Sequence, residues 1–190
     1  HFLALSAVST FVIITLITWL GPKFGKRRVF YATTGISVIG YISKWFFFTP
    51  DLHWLLLLPA PMIAFGFGGL FTLMPSMVAD VVDADELETH ERREGMYGSI
   101  FWWVVKLGSA LALAGGGFLL NATGFDVDIG PIQPERTIFL LRVFDIIIPA
   151  TASCIAIWAV ATYTITEEKA HEIRAQLEAR RGGVAAAAGA

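Results

Sequence analysis

Lys106 is the only charged residue in the segment GMYGSIFWWVVKLGSALALAGGGFLLNATG, which runs from Gly95 to Gly124. An ammonium inside an apolar run of helix length is costly, and where it persists it faces a cavity, a transport pathway or a buried carboxylate. Lys106 lies ten residues beyond Met96. At 1.5 Å per residue that is about 15 Å of helix, near mid-depth in a hydrocarbon core about 30 Å thick. Helical spacings of three and four residues bring Ser99, Trp102, Trp103, Ser109 and Leu113 to the same face. Aromatic faces, hydroxyls and one cation make a wall suited to a polar ligand. The alternative is a structural lysine paired to a carboxylate on a neighbouring helix, and no acid in the apolar runs of this chain stands at a matching depth.

The second group with chemical potential is ADVVDADELETHERREG, in which seven acids, Asp80, Asp83, Asp85, Glu86, Glu88, Glu91 and Glu94, accompany Arg92 and Arg93. It lacks the central glycine and the ligand periodicity of a calcium loop, so no metal site is expected there. The segment reads either as a solvated loop or as a gate, in which acids at a helix end pair with basic residues of a partner domain.

The elements that position these groups belong to a membrane protein. Of 190 residues 55% are hydrophobic and 16% charged, and the net charge is −2. A mean hydropathy of +0.64 is too high for an ordinary soluble domain. No broad basic face suggests a nucleic-acid partner. Cys154 stands alone, so there is neither a disulfide framework nor a thiolate metal site. Apolar stretches of about 20 residues, enough to cross a bilayer, recur at Phe2–Leu20, Val29–Thr49, Trp54–Val78, Met96–Asn121 and Thr137–Thr164. They predict an all-α, polytopic helix bundle of five spans over residues 1–166, followed by a tail over 167–190.

Lys23, Lys26, Arg27, Arg28, Arg92, Arg93, Lys169, Arg174, Arg180 and Arg181 fall on one side of these spans. The opposite loops, Pro50–His53 and Ala122–Arg136, add only Arg136. The positive-inside rule makes the basic side, with the C-terminus, cytoplasmic in an inner (plasma) membrane. A chain opening His-Phe-Leu on the outer side is expected to be the later part of a six-span half.

The third span carries Pro59, Pro61, Gly66, Gly68, Gly69 and Pro75, which suggest a bending helix beside a water-accessible cavity, with a rigid scaffold as the alternative. In the fourth, Gly108, Ala112 and Gly116 form a small-residue stripe for close helix packing. Lys44 and an Arg142/Asp145 pair lie near the outer interface, where snorkelling and an i, i+3 ion pair explain them. Asn121-Ala122-Thr123 fits a glycosylation triplet that abuts the membrane. Ala170, Ile173 and Leu177 recur at helical spacing in the tail and predict a short amphipathic helix with His171 solvated. VAAAAGA beyond it reads as low-complexity and disordered.

The run MPSMVADVVDADE, followed by RREGMYGSIFWWVVKLGSALA, resembles the glycoside–pentoside–hexuronide:cation symporters, the melibiose-permease-like branch of the major facilitator superfamily. The likeness rests on Asp-Val-Val-Asp-x-x-Glu and on Val-Val-Lys in the next helix, and it covers the chain up to Thr166. It implies that the five spans are the eighth to twelfth of twelve. It also implies a transporter rather than an enzyme, with no cofactor, moving a sugar-like substrate with Na⁺ or H⁺ by alternating access between this bundle and an N-terminal one. Asp80, Asp83 and Glu86, with Arg92 and Arg93, then fall on an acidic gate, and Lys106, Trp102, Trp103 and Ser109 beside the substrate. In GPKFGKRR, the counterpart of a superfamily loop signature, Pro22 stands where an acid is expected. Phe101, Trp102 and Trp103 replace the small or polar side chains that precede Val-Val-Lys in melibiose permease; they suit sugar rings but cannot ligate Na⁺. A lipid or drug carrier on the same fold, or a non-transporting membrane scaffold or sensor, are the rival readings.

Overall fold

The computed structural model describes residues 2–47, 58–130 and 133–188. They form six helices: α1 (Phe2–Phe24), α2 (Lys26–Phe47), α3 (Pro59–Thr89), α4 (Glu94–Ala122), α5 (Glu135–Ala161) and α6 (Glu167–Ala188). The described residues include no strand. Over their described residues all five expected spans form helices, the fifth ending at Ala161, three residues short of its expected end. By length and composition α3, α4 and α5 are sufficient to cross a membrane, whereas the described apolar part of α1 is the shorter stretch Phe11–Phe24. The loop expected at Pro50–His53 and the expected start of the third span at Trp54 lie outside the described residues.

Local sequence explains the boundaries. Gly25, at φ +85°, turns α1 into α2 and donates its N–H to the Gly21 carbonyl at 2.9 Å, a left-handed C-cap that favours glycine. α3 opens on Pro59, whose missing N–H costs nothing in the first turn. It closes on His90, at φ 62°, whose N–H reaches Glu86 O at 3.0 Å. The connection from α4 to α5 is pinned by the buried Thr137 hydroxyl, which donates to Thr123 O at 3.0 Å.

α2 is the central helix, packed on α3 and α5, while α1 and α6 also lie against α3. Ile13, Ile17, Val29, Phe30, Leu73, Met77 and Val160 make the buried core where α1, α2, α3 and α5 meet. α4 is the exception. It has no buried residue and touches only α3 and α5 lightly.

Several expectations change. The acidic segment is a loop only over residues 90–93, because α3 runs unbroken through Pro75 to Thr89. Its 31 residues span roughly 46 Å, so the part after Val78 extends beyond a core of about 30 Å. The glycines of α3 serve close approach. A Cβ on Gly66 or Gly69 would fall within the side chains of Ser37 or Thr33 on α2, and one on Gly68 would come within 2.8 Å of Ile13 on α1. A cleft of about 280 Å³ does border the Gly66–Leu70 stretch and includes Thr34, Ser37, Tyr41 and Ser153 in its wall. The stripe on α4 has no such partner, since a Cβ on Gly108 or Gly116 meets nothing within 4 Å among the described residues. Asp145 takes Lys44 across the α2–α5 contact, at 2.7 Å, and Arg142 lies over the Trp45 ring. In the tail, Ala170, Ile173 and Leu177 are buried as their spacing predicts, and His171 is exposed. The helix continues to Ala188, where the sequence suggests disorder.

Candidate functional site

The acids of α3 are brought together with cations from three other segments. Asp80, whose side chain is 4% exposed, accepts from Lys26 Nζ at 2.5 Å and from Arg174 Nη2. Lys26 also donates to Ser76 O at 3.4 Å. Asp83 lies 3.5 Å from Arg174 and 3.9 Å from Arg92. One turn on, Glu86 receives Arg181 Nη2 on both oxygens, at 2.8 and 3.0 Å, and Arg92 Nη1 at 3.1 Å. Arg93 forks onto Asp85 at 2.7 and 3.0 Å. Arg180 meets His90 Nδ1 and donates to Glu86 O at 3.4 Å.

Spacing explains the alignment. Asp80, Asp83 and Glu86 recur at three-residue intervals on one side of α3, and Arg174 and Arg181 recur at seven on α6, so two helices laid together match charge to charge. The pairs differ in kind. A buried ion pair owes its geometry to the cost of leaving either charge alone, whereas an exposed pair such as Arg92 with Glu94 contributes little. The guanidinium of Arg92 is held above its ordinary value, first by its bond to Glu94 and then by Glu86. Tyr163, just past the end of α5, is pushed up to about 12, mainly by burial and then by the charges of Asp80 and Glu167. It therefore stays a neutral donor and gives its O–H to Met77 O at 3.3 Å, tying the α5–α6 connection to α3.

The second group stands apart. Lys106 lies twelve residues into α4, about 18 Å from its start, and is exposed with Trp102, Trp103 and Ser109. Trp102 packs edge-on against Phe101, and the Ser109 hydroxyl turns back to Val105 O at 2.9 Å. Aromatic rings, an ammonium and a hydroxyl share a face that no other described segment covers. Sequence reasoning missed Lys26, Arg174, Arg180 and Arg181 as partners of the acids. The signal was present in the tail, where Arg174 and Arg181 stand seven residues, about two helical turns, apart, close to the six residues that separate Asp80 from Glu86.

Long apolar helices with an ion-paired end outside the apolar zone mark an integral membrane protein. Residues 1–167 match the family described as MFS/sugar transport protein, and the chain belongs to that family. Among curated relatives it is 30% identical over 180 residues to an uncharacterized symporter of Synechocystis sp., a match covering 92% of this chain and 33% of the relative. It is 26% identical over 175 residues to a glucuronide carrier protein homolog of Escherichia coli, covering 92% of this chain and 37% of the relative. The chain thus spans about a third of the length of these relatives. No solved structure matches.

Proposed function

We propose that the protein containing this chain is a cation-coupled symporter of glycosides or sugar acids, working by alternating access between this bundle and an N-terminal one. The carrying observation is the open face of α4, where Trp102, Trp103, Lys106 and Ser109 stand together on a helix with no buried residue. A ring stacks on tryptophan, a hydroxyl reads its alcohols, and the ammonium balances either a carboxylate in the opposing bundle or an anionic sugar. The name of the glucuronide-carrier relative supports the anionic sugar as cargo. The basic ends support a cytoplasmic α6 side by the positive-inside rule. Asp80, Asp83, Glu86, Arg92 and Arg93 then belong to the inner gate. Na⁺ and H⁺ are the candidate coupling ions.

Vesicles holding the full-length protein test this directly. A labelled glucuronide or neutral glycoside should accumulate above equilibrium only under an imposed Na⁺ or pH gradient, with the glucuronide preferred. Equal uptake with the gradients collapsed would exclude coupling. Uptake of lipid or drug probes in place of any glycoside would favour a different carrier.

A further inference from the structure

At the turn from α1 to α2 the chain gathers cations around a cleft of about 520 Å³, bordered also by Tyr31, Tyr163 and the start of α6. Lys26, Arg27 and Arg28 occupy the first turn of α2, which carries no acid. There the helix N-terminus already presents positive charge, met by Glu167 at the Lys26 N–H, so the cations add to the field instead of offsetting it. Lys23 joins them from the last turn of α1.

The acids of the same cleft are largely committed. Asp80 is held by Lys26 and Arg174. Glu167 accepts from the Lys26 backbone N–H at 3.4 Å and lies 3.8 Å from His171. That leaves Glu168 against Lys23, Arg27 and Arg28. Arg27 gives Nη2 to Ala161 O at 3.2 Å, but its buried Nε has no hydrogen-bond partner among the described residues. A buried guanidinium nitrogen without an acceptor is costly. Arg28 is exposed and forms no hydrogen bond or ion pair among the described residues.

We propose that this cleft binds the phosphate of an anionic membrane phospholipid, with Arg27 and Arg28 as its donors and Lys23 at the rim. A lipid headgroup, rather than a free phosphate, fits because the rim continues into the apolar surface of α1. Phe24 borders the cleft and, like Trp19 one turn earlier, is 58% exposed on a membrane helix. Lys23 Nζ sits 3.7 Å from the centre of the Trp19 ring. An ammonium over an indole at a helix end is a membrane-interface anchor, which sets the cleft at headgroup level. The acyl chains then lie along α1 while the phosphate reaches the α2 terminus.

Full-length protein in detergent, titrated with phosphatidylglycerol and followed by native mass spectrometry and thermal unfolding, tests the site. The expected result is retention of phosphatidylglycerol and a raised midpoint, with no such effect of phosphatidylcholine or inorganic phosphate. Lys23→Gln/Arg28→Gln, at two exposed positions, should fold normally and weaken phosphatidylglycerol binding by roughly fivefold per charge removed. Arg27→Gln should weaken it further, and Arg136→Gln should leave it unchanged. Equal retention of phosphatidylcholine, undiminished phosphatidylglycerol binding by the double variant, or displacement of the lipid by millimolar inorganic phosphate would each overturn the proposal. None of these readouts depends on sugar transport, so the site stands or falls separately from the symport reading.

Discussion

Asp80 and Asp83 are one turn apart on the same helix, yet their surroundings predict different consequences of losing the charge. Asp80→Asn removes the negative charge that faces both Lys26, 14% exposed, and Arg174. A buried cation left without its partner destabilises by about 3 kcal/mol. Asp83 is more open and its cations are farther off, at 3.5 and 3.9 Å, so Asp83→Asn should cost under about 1 kcal/mol. Thermal unfolding of the full-length protein in detergent checks the order, and equal losses would refute the argument from burial. Asp83→Asn should instead slow transport at unchanged binding affinity, since a gate carboxylate far from the sugar acts on one state of the cycle. Lys106→Leu should leave insertion intact, because a mid-helix lysine costs roughly 2.5–3.5 kcal/mol that leucine does not. If Lys106 balances an acid in the opposing bundle, its removal raises the pKa of that acid, and the pH profile of uptake moves upward. Uptake measured against pH and normalised to folded protein decides: an unmoved profile at full specific activity would make Lys106 structural.

At the scale of elements, the close approach of α2 and α3 is the feature most sensitive to a single methyl. Gly69→Ala would drive a Cβ into Thr33, whose hydroxyl is held by Val29 O at 3.0 Å and Phe30 O at 3.1 Å. Overpacking of this kind costs about 1–3 kcal/mol. Gly35→Ala, where nothing lies within 4 Å, should stabilise by up to about 1 kcal/mol through helix propensity alone. Unfolding midpoints moving in opposite directions would confirm the contrast. The positions of the helices were legible because an apolar run of bilayer length has few other solutions, and the burial of Ala170, Ile173 and Leu177 followed from a period of 3.6. What α3 does with its glycines was not legible, because the same residues permit a bend or a tight contact, and only the neighbour distinguishes them. The acids of α3 were recognised by type. Their partners lay far off in sequence: of the loop expected over Ala79–Gly95 the part up to Thr89 is helical, and Arg174 and Arg181 offset the charge of its acidic face. Trp102, Trp103, Lys106 and Ser109 share an exposed face of α4 as helical spacing requires.

For the whole molecule, α6 is the piece that joins the rest: it neutralises Asp80, Asp83 and Glu86 and seats Ala170, Ile173 and Leu177. Ending the full-length protein after Thr166 should therefore leave the spanning helices inserted but expose the last turns of α3. Hydrogen exchange at residues 80–89 should rise at least tenfold, and an unchanged rate would show that α6 is dispensable. Salt should discriminate within the same network. At about 1 M, where charges are screened beyond roughly 3 Å, exchange should quicken around Arg181 and Glu86, whose arginine is 54% exposed, before it does around Lys26 and Asp80. The order of synthesis gives Asp80 a further meaning. Its first partner, Lys26, is made before it, while Arg174 emerges 94 residues later, about 5–20 s at ordinary elongation rates. For that interval Asp80 has Lys26 on one oxygen, and its other oxygen still lacks the Arg174 guanidinium.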